Sequence, residues 1–164
     1  GRRFGAAPFA FSIEPRAGCY VARMRRELSD GCEIDDDRTR VDADVVFAFL
    51  RDEAYWVPGR DRGTIERLIR ESTRVLGIYD ADGAQIAFAR VMSDGANMAW
   101  LGDVFVLPQF RGRGLATELI REAVGYPEHR DCHWYLNTRG AHDLYRRFGF
   151  QEATDRTMVR PRPA

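Results

Sequence analysis

Apolar and polar positions change period several times along the chain, and each change predicts an element. Segment 31–36 reads as a first strand. Over 39–54, Val45, Val46, Phe49 and Leu50 recur at helical spacing, and Asp42 stands where an N-cap belongs. Ile65, Leu68 and Ile69 make a second helical stripe over 63–72, with Glu66 and Arg70 paired one turn apart on the polar side. The period then falls to two. Segments 75–79 and 85–92 read as strands joined through Asp80-Ala81-Asp82-Gly83, a strong hairpin signal, and Ile86, Phe88 and Arg90 alternate cleanly. After the Ser93-Asp94-Gly95 turn, Leu101, Asp103 and Phe105 alternate with Gly102, Val104 and Val106. Pro108, which has no N–H for a ladder, ends that strand. From Gly114 the helical period returns, with Leu115, Ala116, Leu119, Ile120, Ala123 and Val124 on one face, until Gly125 and Pro127 stop it. Segment 132–136 reads as a short strand and 138–147 as a helix carrying Ala141, Leu144 and Tyr145, closed by Phe148-Gly149-Phe150.

Arg111-Gly112-Arg113-Gly114 lies between the third strand of this run and its helix, and that composition suits a phosphate. A helix N-terminus leaves its first N–H groups unpaired and carries about half a positive charge. Glycines let an anion reach those amides. Glycines at such a corner also serve simply to make the bend. Neither the P-loop pattern nor the dinucleotide fingerprint is present.

Gln109, Gly112 and Gly114, preceded by Asp103-Val104-Phe105-Val106-Leu107-Pro108, resemble motif A of the GNAT superfamily of N-acetyltransferases. Ala141 to Phe150, with Leu144-Tyr145 and Gly149-Phe150 at matching spacings, resembles motif B of the same superfamily. The resemblance implies an α+β GNAT fold in the order strand, two helices, three strands, helix, strand, helix, strand, with a mixed and mostly antiparallel sheet of about six to seven strands flanked by about four helices. It implies acetyl-CoA as cosubstrate, its pyrophosphate on the amides of Arg111, Gly112, Arg113, Gly114, Leu115 and Ala116 and its pantetheine along Val104, Phe105 and Val106. Many relatives carry Asn three residues before the alanine of motif B, near the cofactor, where this chain has Thr138 beside Asn137. Tyr145 matches the tyrosine that is often the general acid. Asp103, the strand carboxylate nearest the implied thioester, is the candidate base or else caps a neighbouring loop. Tyr55 and Trp56 resemble a segment beside the acceptor pocket in one bacterial subgroup, or close a core edge. His142, one turn before Tyr145, touches the acceptor, tunes the hydroxyl or is a surface residue. The implied function is transfer of acetyl from acetyl-CoA to a primary amine by direct attack through a ternary complex. The alternative is a non-catalytic acyl-CoA-binding module acting as sensor or partner-binding domain.

Composition narrows the partners. A chain of 164 residues is expected to form one domain, here 31–164, with 1–30 as an N-terminal extension. That leader is rich in arginine and lacks a sustained period, and Met24 is a candidate natural start. Net charge is zero and the 25 basic residues, all arginine, are scattered among 25 acids, which argues against nucleic acid. No apolar run approaches the ~20 residues of a membrane span. Cys19, Cys32 and Cys132 have no metal-ligand spacing, so no metal is expected and reduced thiols in a cytoplasm are. The expected partner is a small-molecule or peptide amine, bound by a monomer or homodimer.

Overall fold

The computed structural model describes residues 23–54, 59–153 and 157–160. Its sheet has six strands in sequential order: β1 (Arg25–Glu27), β2 (Glu33–Asp35), β3 (Arg74–Tyr79), β4 (Gln85–Ser93), β5 (Met98–Val106) and β6 (His133–Tyr135). Neighbours are antiparallel except β5 and β6, which run parallel. A parallel neighbour needs a crossover, and the helix that follows Gly114 supplies it. The mixed, mostly antiparallel sheet agrees with the expected fold class.

Among the described residues four α-helices accompany the sheet: α1 (Ala43–Asp52), α2 (Arg62–Glu71), α3 (Leu115–Val124) and α4 (His142–Arg146). Asp42 caps α1 by accepting from the N–H groups of Asp44 and Val45, as its position suggested, and Asp61 caps α2 by accepting from Thr64. Strand alternation divides the core in two. Val75, Phe88 and Phe105 face α1 and α2, where they meet Val46, Phe49, Leu50, Ile65 and Ile69. Leu76, Ala87, Ala89 and Val91 face the other way, onto Leu115, Leu119, Ile120 and Ala123 of α3, with Leu144, Tyr145 and Phe148 packed alongside.

Three features differ from the sequence reading. A strand, β1, forms inside the segment taken for an extension, because Met24 and Asp36 exchange hydrogen bonds that align Arg25–Glu27 with β2. Helix α4 begins only at His142, since Thr138 turns its hydroxyl back to accept from the Ala141 N–H instead of continuing a helix. After α4 no further strand forms among the described residues. None of their helices is long and apolar enough to cross a membrane.

Candidate active site

Strand β5 makes the site because its two edges are used unequally. Its β4 edge is paired along its length, whereas β6 reaches only Met98, Ala99 and Trp100. From Leu101 onward no described strand pairs with the outer edge, which is open there. Phe105 pairs with Phe88 and the Leu107 N–H donates to Ile86, so antiparallel alternation points the N–H groups of Val104 and Val106 away from β4 toward that opening. The pairing also slips by one residue: Asp103 and Val104 together oppose Ala89, and Asp103 takes φ 50°. This is a β-bulge, the device by which a strand re-aims its side chains.

Two cavities of about 390 Å³ each flank the open edge and share Val104, Ala141 and Tyr145. The first is largely apolar. It contains Val104, Phe105, Val106, Arg111, Gly112, Gly114, Leu115 and Ala116, the candidates implied for the cofactor, and gathers Phe49, Phe110 and Leu144 around them. Gly112 and Gly114 have φ of 80° and 78°, and a Cβ on either would meet nothing within 4 Å, so the turn is both strained against side chains and open above. Gly114 offers α3 no side-chain cap, which leaves the helix's first amides facing that space. Arg111 bridges the turn by donating from Nε to the Val106 carbonyl at 3.2 Å. Arg113 instead leaves the cavity and reaches Asp30 at 3.2 Å and Cys32 Sγ at 3.5 Å.

The second cavity is more polar and includes Arg60, Arg90, Trp100, Asp103, Asn137 and Thr138. Asp103 is buried, and its carboxylate accepts from Arg90 Nε at 2.5 Å and from Arg60 Nη1 at 3.1 and 3.2 Å. Thr138 therefore lies on the side opposite the glycine turn. His142 is exposed and lines neither cavity; it borders a separate depression beneath β6, together with Tyr145. Tyr55 and Trp56 lie outside the described residues.

Tyr145 stands at the junction because of how α4 ends. The Phe150 N–H donates to the Tyr145 carbonyl and the Gly149 N–H to that of Arg146, with Gly149 at φ 83°. That is a Schellman cap. Its apolar contact is the Phe150 ring, edge-on to Tyr145 at 5.8 Å between centroids. On the sheet side, Phe49 stacks on Phe105 at 4.0 Å and closes the floor of the first cavity. Sequence reasoning missed Arg60 and the partnership of Arg90. A charged residue in the apolar run of β4 was the available signal for Arg90, since a buried guanidinium requires a partner; nothing in the local pattern marked Arg60.

The open strand edge and the uncapped helix start lie where the resemblance to the GNAT superfamily implies the cofactor. Residues 71–152 match the acetyltransferase (GNAT) domain. A crystal structure from Xanthomonas campestris pv. campestris, described as an acetyltransferase belonging to the GNAT family, is 34% identical, covers 80% of this chain and 94% of that one, and superposes with a TM-score of 0.76. A protein from Deinococcus radiodurans R1, also described as an acetyltransferase, is 19% identical over 84% of this chain and 94% of its own, with a TM-score of 0.65, which shows a shared fold. An uncharacterised N-acetyltransferase of Methanocaldococcus jannaschii is 38% identical over 60 residues, 34% of this chain and about a quarter, 26%, of that relative. The chain belongs to the GNAT acetyltransferase family, whose members generally use acetyl-CoA.

Proposed function

We propose that the protein moves acetyl from acetyl-CoA to a primary amine by direct attack within a ternary complex. The observation that carries this reading is the meeting of two cavities at Val104 and Tyr145, one ending at a bare helix N-terminus and the other lined by polar groups. The pyrophosphate lies on the amides between Arg111 and Ala116, and the pantetheine pairs with the open edge of β5. The thioester then sits at the junction. As the amine nitrogen bonds the acetyl carbon, the carbonyl oxygen gains charge and accepts from the Val104 or Val106 N–H, a preorganised donor. The C–S bond breaks and the thiolate takes the Tyr145 hydroxyl proton, which solvent replaces. The amine loses its own proton to water, because guanidinium groups already occupy both oxygens of Asp103. We assign Asp103 to holding the acceptor wall and Thr138 to tying the turn that leads into α4 beside it.

Calorimetry or thermal unfolding with CoA tests the cofactor half. At CoA about 100-fold above its dissociation constant the fold should gain about 2.7 kcal/mol. Gly114→Asp places a side chain and a negative charge in the cradle and should abolish that gain while leaving a folded protein by circular dichroism. No CoA-dependent shift in the wild type would contradict the assignment.

A further inference from the structure

The second cavity carries an imbalance of charge that points to the acceptor. Among the described residues its charged lining is Arg60 and Arg90 against Asp103 alone, a net excess of one positive charge. Neither guanidinium is fully used. Among the described residues Arg60 donates only through Nη1, to Asp103, leaving Nε and Nη2; Arg90 donates there through Nε to Asp103 and through Nη1 to the soft sulfur of Met92, leaving Nη2. Arg90 is 5% exposed and the Arg60 side chain 17%, so their charge is poorly screened by water. Charge-assisted, forked bonds to a carboxylate or phosphate are what such donors make best. An ammonium beside them is disfavoured, and the neutral, attacking form of an amine is favoured.

Resting on the acetyl-transfer reading, we propose that the acceptor is an amine that also carries an anionic group, carboxylate or phosphate, which Arg60 and Arg90 take while the amine faces Tyr145. Polycationic amines are excluded by the same charge. The nitrogen attacks as the free base, its proton having gone to water, and the acetyl group passes as described above.

Matched pairs test this: β-alanine against β-alanine amide for the carboxylate, phosphoethanolamine against ethanolamine for the phosphate, with spermidine as polycation. Each is assayed for CoA release and, separately, for calorimetric binding to the CoA-loaded protein. In at least one pair the anionic member should be preferred about tenfold or more in kcat/KM and in affinity, the gain expected of charge-assisted bonds. Arg60→Gln should shrink that ratio toward one, with CoA binding retained as evidence of folding. Preference for the neutral members or spermidine in both pairs, or a ratio unmoved by Arg60→Gln, overturns the proposal. Tighter binding of an anionic member without turnover of any amine supports the anion site and contradicts acetyl transfer instead.

Discussion

Tyr145 owes its position to the two residues that close its helix. Gly149 adopts a φ that side chains resist, and Phe150 is thereby brought edge-on to the tyrosine ring. Gly149→Ala is expected to lower stability by about 1–2 kcal/mol, the usual cost of a Cβ in the left-handed region, measured by urea unfolding. Acetyl transfer should fall with it at saturating CoA, because the Phe150 contact shifts; full activity would detach the cap from the site. Tyr145, Gly149 and the glycine turn were legible in the sequence because residue type and local spacing carry them. The bulge at Asp103 and its two arginines were not. A bulge is set by the register of β4 against β5, and Arg60 lies 43 residues from Asp103 along the chain, beyond the reach of any local period.

Among the elements, the passage from β5 through the glycine turn into α3 was read within a residue or two, since its alternation, its breaker and its apolar stripe agree with one another. The stretch between α3 and β6 was silent. There His129 is 1% exposed, its Nδ1 has no hydrogen-bond partner among the described residues, and it meets Tyr126 and Trp134 edge-on at 5.1 and 5.9 Å. Burial pushes its pKa below 6.5, and the Arg74 charge pushes the same way. The folded state thus holds a neutral imidazole while the unfolded chain takes up a proton once pH falls below about 6.5, so its contribution to stability is full above that pH and declines below it. Urea midpoints at pH 7.5 and pH 5.5 should differ less in His129→Gln than in the wild type. An identical difference in both proteins would remove His129 as a source of acid sensitivity.

On the scale of the whole molecule, one sheet separates two cores, and the site opens where β5 and β6 part between them. Alternation and helical stripes made that layering readable, whereas β1 escaped notice because its three residues, Arg25–Glu27, are all charged and exposed. It is held by backbone pairing with β2 and by Arg26, which reaches Glu118 and Glu122 of α3 at 2.9 and 3.3 Å. A chain beginning at Met24 keeps these contacts and is expected to match the longer chain in thermal stability and CoA binding. One beginning at Leu28 loses them and should melt lower; a large loss already at Met24 would place residues 1–23 in the folded unit. The claim that ties these scales together is acetyl transfer at the junction of the two cavities, and amine-dependent CoA release by wild type and Tyr145→Phe measures it. The wild type should release CoA faster with acceptor than without. With CoA affinity unchanged, Tyr145→Phe should slow the chemical step by about 100-fold or more. Equal rates for the two proteins, or no amine-dependent release by a wild type that binds CoA, would contradict it.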